Sequence, residues 1–303
     1  MKNIVLIGMP GSGKTTIAKK LSEVLNMPLI DVDEYIVKKY RLSIKEMFEI
    51  SEDYFRECET NCVKEVSLKS GVIISTGGGV IKKSENIEAL KTNGMIFLLD
   101  RKLENIIKDI ETSTRPLLKE GKEKIYTLYS EREMLYLNSA HQVIDNNGTI
   151  KQTLDQIMFY YHHTLNYQQV YLKQLQYVRD AKENWLPYYI FEIYHEQYVV
   201  GKLILRLGDF VDNEYSGHIG YTIYEQFRGH HYAYQACLAV REFIKFLGYN
   251  EVLITCSPDN VASKKTILKL NANYLETKKI PSELMKDYQI DETHKEIYLW
   301  LVD

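Results

Sequence analysis

The sequence predicts an α/β protein of two domains, the first with a parallel five-stranded sheet and the second an α/β domain with a mixed sheet. Its 303 residues exceed what one hydrophobic core usually spans. The first half alternates short apolar runs with amphipathic segments, as strands and crossover helices do. A different strand pattern starts after about residue 186. We therefore predict domains at 1–163 and 187–303, joined by a helical connector at 164–186 that contains no Gly or Pro.

The elements follow from hydrophobic runs and capping residues. In the first domain the predicted strands are residues 4–7, 28–30, 72–75, 95–99 and 142–144. Predicted helices begin near Gly13, Ser43, Ser51, Ser84, Leu103 and Lys122, and a last helix covers 150–162. Ser43 and Glu46 form a possible capping box. In the second domain we predict strands at 189–194, 199–206, 218–224, 252–256 and 296–302, with helices at 232–246 and 262–270.

Composition narrows the class of partner and the compartment. Lys and Arg total 38 against 41 Asp and Glu, so no positive field favours nucleic acid as a partner. Four cysteines are too few for a disulfide framework, and Cys58 and Cys62 are predicted to be buried apolar residues rather than metal ligands. No apolar run is long enough for a signal or a membrane span. We expect a cytoplasmic protein without a membrane partner.

A glycine-rich loop carries the strongest chemical signal. Residues 8–15 read Gly-Met-Pro-Gly-Ser-Gly-Lys-Thr, between a predicted strand and a predicted helix, which is the context of a phosphate-binding loop. Its backbone N–H groups can wrap phosphate oxygens, Lys14 adds a positive charge, and Thr15 can ligate Mg²⁺. The predicted ATP-binding residues of the loop are Gly11, Ser12, Gly13, Lys14, Thr15 and Thr16.

Further polar motifs follow the other predicted strands. Asp31 and Asp33 come after the second strand and are predicted to lie on one face of an extended segment, although they could instead cap a helix. Three glycines at 77–79 follow the third strand, which indicates that something approaches the backbone closely. Arg56 and Arg132 lie in predicted helices, where they could bind an anionic substrate or form surface ion pairs.

Together with Arg115-Pro116-Leu117-Leu118, these motifs make the first half resemble shikimate kinase over that family's whole length. The resemblance implies the three-layer fold of a P-loop kinase that uses ATP and Mg²⁺. By the same resemblance Asp33 holds hydroxyls of shikimate, Arg56 and Arg132 bind its carboxylate, and Gly77, Gly78 and Gly79 line the substrate floor. It also implies catalytic roles for Lys14, Asp31 and Arg115, a metal site at Thr15 and Asp31, and contact of Arg115 with ATP from a lid.

The second half carries a glycine-bearing turn between a strand and a helix. The turn reads Arg228-Gly229-His230-His231-Tyr232-Ala233, and Pro258-Asp259-Asn260 precedes a later helix. Residues 185–303 are therefore similar to the GNAT acetyltransferase family. The resemblance implies acetyl-CoA binding by Arg228, Gly229, His231, Ala233 and Asn260. His231 stands where the family has a Gly, and Ile267 stands where many members have a Tyr that acts as general acid. Glu214 and His218 are candidate bases.

These observations predict a bifunctional enzyme. The first domain would phosphorylate shikimate to shikimate 3-phosphate, and the second would acetylate an amine acceptor that the sequence does not identify. Two alternatives stay open. The first domain could phosphorylate another small sugar acid such as gluconate, or the chain could be a nucleotide- or CoA-sensing regulator with a non-catalytic second half.

Overall fold

The chain folds into two compact units. The computed structural model describes residues 2–111, 122–178, 186–284 and 292–302. The first unit spans Met1–His162 and the second His163–Asp303. Each unit is organised around its own sheet.

The first unit contains a five-stranded parallel sheet, as predicted. Its strands are β1 (Asn3–Ile7), β2 (Leu29–Asp31), β3 (Ile73–Ser75), β4 (Gly94–Asp100) and β5 (Gln142–Asp145). They lie in the order β2-β3-β1-β4-β5, and every neighbouring pair is parallel. All the strands therefore end at the same edge of the sheet, which is where ligands bind in such folds.

The helices of the first unit connect these strands. They are α1 (Lys14–Leu25), α2 (Val32–Tyr40), α3 (Ile44–Ile50), α4 (Glu52–Ser67), α5 (Ser84–Asn93), α6 (Leu103–Glu111), α7 (Lys122–Ser139) and α8 (Ile150–His162). The predicted capping box is present, because Ser43 and Glu46 bond each other's backbone N–H at the start of α3. On α4, Cys58 and Cys62 are buried free thiols, as predicted.

The prediction of an extended segment at Asp31 and Asp33 is wrong. Helix α2 begins directly after β2, and the Asp31 carboxylate caps it by accepting from the backbone N–H of Asp33 and Glu34. Asp is a favoured N-cap, and the acidic residues behind it stabilise the positive end of the helix dipole. Asp31 thus caps a helix and still stands at the binding edge of the sheet.

The second unit contains a mixed eight-stranded sheet. Its strands are β6 (Asn166–Tyr167), β7 (Val170–Val178), β8 (Tyr188–His195), β9 (Tyr198–Arg206), β10 (Ile219–Ile223), β11 (Glu251–Cys256), β12 (Asn273–Lys279) and β13 (His294–Leu301). The order is β12-β13-β11-β10-β9-β8-β7-β6. Strands β10 and β11 are parallel, and all the other neighbouring strands are antiparallel. Helices α9 (Tyr232–Phe246) and α10 (Val261–Lys269) follow β10 and β11.

The predicted helical connector is wrong where the structure describes it. The segment forms β6 and β7, which extend the second sheet by antiparallel pairing with each other and with β8. Val170, Leu172 and Gln174 are buried while the residues between them are more exposed, which is the two-residue period of a strand. The absence of Gly and Pro is equally compatible with a strand, so it could not separate the two possibilities.

Candidate functional site

The carboxyl ends of the five strands of the first unit bring glycine-rich and polar segments to one edge of the sheet. The glycine-rich loop follows β1, Asp31 ends β2, and the three glycines follow β3. Arg101 follows β4 and Asn146 follows β5. A parallel sheet with this strand order thus assembles motifs that are more than a hundred residues apart in sequence.

The loop from Gly8 to Lys14 has the shape of a phosphate cradle. Gly8, Gly11 and Gly13 have φ values of 150°, 82° and 87°, which residues with a side chain rarely adopt. Lys14 is nearly buried, and its Nζ donates hydrogen bonds of 2.9 Å to the carbonyl oxygens of Gly8 and Met9. The ammonium group is therefore held over the loop, where a phosphate would meet it together with the N-terminus of α1.

Thr15 and Asp31 meet beside this loop. The Thr15 hydroxyl donates a 3.2 Å hydrogen bond to Asp31 Oδ2, while Asp31 Oδ1 caps α2. A hydroxyl and a carboxylate oxygen are the hard donors that Mg²⁺ prefers, and the ion usually takes its remaining ligands from water and phosphate. The pair that the sequence predicts as a metal site therefore fits that ion chemically.

Asp33 lies in the first turn of α2, two residues after Asp31. Burial raises the pKa of its carboxyl, repulsion from Asp31 raises it further, and the charges of Lys14 and Arg56 oppose both effects. A partly buried carboxylate that feels the charges of two nearby cations is suited to accept hydrogen bonds from substrate hydroxyls.

The three glycines after β3 each leave room for a different neighbour. A Cβ on Gly77 would lie 2.8 Å from Asp33 Oδ1, and a Cβ on Gly78 would lie 2.8 Å from the ring of Pro10. A Cβ on Gly79 would lie 2.5 Å from both terminal nitrogens of Arg56. The Asp33 carboxylate, the phosphate loop and the Arg56 guanidinium all approach the backbone of this segment. Side chains would fill the space that they use, so glycine is required at all three positions.

Arg56 is held in one orientation by carboxylates of its own helix. Its Nη1 donates to Glu59 Oε2 at 2.7 Å, and its Nε and Nη2 both donate to Glu52 Oε1 at 3.3 Å. The guanidinium also lies 5.0 Å from the ring centroid of Phe55, within range of a cation–π contact. Arg56 is only 9% exposed, so the alternative of an isolated surface ion pair does not describe it.

Arg132 reaches the same glycines from α7. Its Nη1 donates to the carbonyl oxygen of Gly78 at 3.2 Å, and the hydroxyl of Tyr136 donates to the same oxygen at 2.5 Å. Both predicted arginines therefore stand at the glycine floor. The structure brings together Lys14, Asp31, Asp33, Arg56, Arg132 and the glycines, whereas Thr16 is exposed in the first turn of α1 and Arg115 lies outside the described residues.

Sequence analysis missed residues that support this site. The amide of Asn146 donates to the carbonyl of Ser12 at 2.6 Å, and Thr153 in turn donates to Asn146 Oδ1 at 2.9 Å. Glu59 and Tyr136, which hold Arg56 and the glycine carbonyl, were also missed. A signal existed for Asn146, because it follows a strand that ends at the binding edge.

Two further kinds of feature are absent from the described ranges. No group of three or more His, Cys, Asp or Glu side chains in these ranges is arranged to hold a metal ion. Over the same residues, no helix combines the length and apolar character that crossing a bilayer requires.

In the second unit, the predicted CoA-binding turn precedes α9. Arg228 and Gly229 are exposed, Gly229 has a φ of 88°, and Ala233 is buried in the first turn of the helix. His231 adopts a φ of 59°, the left-handed conformation that glycine favours. Asn260 caps α10 by accepting from the backbone N–H of Ser263 at 3.0 Å. The turn thus keeps a glycine-like backbone despite the His231 side chain.

Both candidate bases of the second unit already contact other groups of the protein. His218 is fully buried, its Nδ1 accepts from the N–H of Leu253 at 3.0 Å, and its Nε2 lies 3.3 Å from the carbonyl of Gly208. Burial lowers the pKa of His218, so it is a neutral structural histidine rather than a base at the surface. Glu214 is paired with Lys278. Ile267 is completely buried and only packs.

Comparisons with known proteins agree with both halves of this description. The shikimate kinase family model matches residues 10–162, and a model of the acetyltransferase (GNAT) domain matches residues 136–273. A shikimate kinase of Clostridium botulinum is 48% identical over 158 residues, which are 52% of this chain and 96% of that protein. A shikimate kinase of Clostridium beijerinckii is 46% identical over 158 residues, which are 52% of this chain and 94% of that protein.

A solved structure gives the same result for the fold. The crystal structure of a shikimate kinase from Bacteroides thetaiotaomicron aligns with a TM-score of 0.51 and 27% identity, covering 53% of this chain and 98% of that one. The resemblances drawn from the sequence motifs and the predicted fold class are confirmed. The chain belongs to the shikimate kinase family through its first unit and carries a GNAT domain in its second.

Proposed function

We propose that the first unit transfers the γ-phosphoryl group of ATP to a hydroxyl of shikimate, giving shikimate 3-phosphate. The observation that carries the proposal is the placing of Asp33 against Gly77 and of Arg56 against Gly79, next to the phosphate loop. A hydroxylated carboxylic acid needs both an acidic acceptor and a guanidinium fork, and in-line transfer needs cations near the γ-phosphate. The relatives that carry this name match almost their whole length.

Each residue has a role that its contacts support. Lys14 and the backbone of the loop bind the phosphates of ATP, and Asp33 accepts hydrogen bonds from the hydroxyls. Thr15 and Asp31 would hold Mg²⁺, which would neutralise phosphate charge. Arg132 can release the Gly78 carbonyl and bind the substrate carboxylate instead. The carbonyl keeps a hydrogen-bond partner, because the Tyr136 hydroxyl still donates to it. The role of Arg115, which lies outside the described residues, stays a prediction.

The test is shikimate-dependent ADP release by the purified chain with ATP and Mg²⁺. We expect Lys14→Ala to lower kcat by about 10²-fold or more, since a charge at the transferring group is lost. Arg132→Ala should raise KM for shikimate by about tenfold or more, the value of a charged hydrogen bond, and leave KM for ATP unchanged. Lys20→Ala is the matched control, because Lys20 lies on the same helix and pairs with Glu23 at the surface.

Two outcomes would contradict the proposal. If gluconate or another hydroxy acid in a panel is phosphorylated in preference to shikimate, the substrate is wrong. If ATP binds but no acid is phosphorylated, the first unit is a nucleotide sensor rather than a kinase.

We propose that the second unit binds acetyl-CoA and transfers its acetyl group to an amine acceptor. Support comes from the GNAT match and from the separation of β10 and β11. These strands run parallel but are paired at only one position, Ile219 with Ile254. Strands that diverge expose backbone donors and acceptors to an extended ligand. Calorimetry with acetyl-CoA on the full chain, followed by a screen of amines, tests this. Absence of binding would show that the second unit has a structural role only.

The cytoplasmic location of the protein stays a prediction.

A further inference from the structure

Helix α10 of the second unit lacks the tyrosine that a general acid would require, yet a phenol reaches the helix from another element. Ile267 is completely buried and has no proton to give. The hydroxyl of Tyr221, on β10, lies 2.9 Å from Ser263 Oγ and 3.4 Å from the Ser263 carbonyl oxygen. Ser263 and Ile267 are four residues apart on α10 and therefore share a helix face.

The phenol stands beside the gap between the two parallel strands. Strands β10 and β11 last pair at Ile219 and Ile254. Tyr221 lies two residues beyond Ile219, so the side chains of Tyr221 and Ile219 point to the same side of the sheet. Cys256 occupies the equivalent place on β11, two residues beyond Ile254. Helix α10 starts five residues after Cys256, and its first turn carries the Ser263 that Tyr221 contacts. A ligand lying along the gap would end at this hydroxyl.

The Tyr221 hydroxyl keeps its proton at neutral pH. Burial raises the pKa of its hydroxyl and nearby Cys237 adds to this, whereas hydrogen bonding to Ser263 and Thr266 opposes it. The Tyr221 residue as a whole is partly exposed. The N-terminus of α10 also favours negative charge at this place.

We propose that Tyr221 is the catalytic residue that donates a proton to the departing thiolate of acetyl-CoA. The inference rests on the proposed acetyl transfer. The neutral amine attacks the thioester carbonyl carbon, so a C–N bond forms and the C–S bond breaks. The sulfur leaves with the bonding electron pair and takes the Tyr221 hydroxyl proton. The phenolate then takes a proton from water. The amine nitrogen loses its extra proton to water, so the protons balance.

The experiment compares four full-length proteins for acetyl-CoA affinity and for thiol release in the presence of the best amine from the screen. Tyr221→Phe should keep the dissociation constant for acetyl-CoA and lower kcat by about 10²–10⁴-fold, the usual contribution of a general acid. Tyr171→Phe makes the same change on β7 and should leave both quantities at wild-type values. Ser263→Ala should lower kcat less than Tyr221→Phe does.

Three outcomes would overturn the inference. A Tyr221→Phe variant as fast as an active wild type shows that Tyr221 gives no proton. Loss of rate in Ser263→Ala together with a normal Tyr221→Phe makes the serine the donor. Wild-type protein that binds acetyl-CoA but releases no thiol with any amine removes the transfer reaction itself, and this failure is distinguished by the inactivity of the unsubstituted chain.

Discussion

At the scale of single residues, the first site is defined by what its glycines exclude. Gly79 has a φ of −103°, a conformation that alanine adopts without strain. Its hydrogen nevertheless faces the Arg56 guanidinium, where a methyl group would lie 2.5 Å from two nitrogens. Arg56 cannot retreat easily, because Glu59 and Glu52 hold it. Substitution here therefore changes the position of one functional group and not the backbone.

We predict that Gly79→Ala raises KM for shikimate by about tenfold or more, since a charged hydrogen bond of that strength is misplaced. KM for ATP should change little, because the phosphate loop lies against Gly78 rather than Gly79. Steady-state kinetics with each substrate varied in turn measure the effect. Equal changes in both KM values would show that the floor collapses as a whole and would contradict the local role assigned to Gly79.

At the scale of elements, the strands that carry motifs could be predicted, but two local structures could not. Apolar runs gave β1 to β5, since buried parallel strands consist of little else. The Asp31 segment failed because a cap and an extended turn use the same residue types. The connector failed because its alternation is formed by Tyr, Leu and Gln rather than by clear apolar and polar classes. Tyr171 stacks on Tyr194 at 4.8 Å across β7 and β8, so some of the chain's 24 tyrosines contribute to cross-strand pairing.

The site itself was predictable to the extent that its residues come from motifs. Lys14, Asp33 and the glycines follow strand ends, so a parallel sheet had to bring them together. Asn146, Glu59 and Tyr136 lie outside such motifs, and their partners are set by packing between distant elements. Tyr221 could not be found from the sequence, because its role depends on where β10 and β11 separate.

The N-terminus of α9 gives a prediction at the same scale. His231 holds a left-handed conformation that costs a residue with a side chain about 1–2 kcal/mol, whereas the flexibility of glycine costs about 0.5–1 kcal/mol. His231→Gly should therefore stabilise the second unit by up to about 1 kcal/mol and bind acetyl-CoA more tightly, because the backbone becomes accessible. The thermal transition that acetyl-CoA shifts, and calorimetry, measure the two effects.

Asn271→Gly is the matched control for that change. Asn271 also has a left-handed φ of 58°, but Asn tolerates this region better than most residues, so replacement should gain less stability. It lies after α10 and should not alter acetyl-CoA affinity. If both variants gain equally, relief of the His231 backbone is not the cause.

At the scale of the whole molecule, a partly buried acidic group links stability to pH. Asp100 at the end of β4 is in register with Asp145 at the end of β5. Burial raises the pKa of Asp100 to about 6, and the charges of Asp145 and Glu133 add to this effect. Asp145 accepts from the Asn147 amide at 2.7 Å and Glu133 accepts from the Tyr129 hydroxyl at 2.9 Å, so hydrogen bonds already satisfy both neighbours.

The sign of the effect follows from the raised pKa. The folded state holds the Asp100 proton more tightly than the unfolded chain, so this stabilisation is complete below about pH 4 and is lost as pH rises through about 6. Asp100→Asn removes the charge of this partly buried side chain while keeping its size. It should stabilise the first unit by about 2–3 kcal/mol at pH 8, and the gain should shrink towards zero near pH 4. Melting curves across this range, followed on the transition that ATP and shikimate raise, provide the measurement. An equal gain at every pH would mean that the substitution acts through packing, and a loss at pH 8 would mean that the ionised carboxylate is needed for a contact that asparagine does not reproduce.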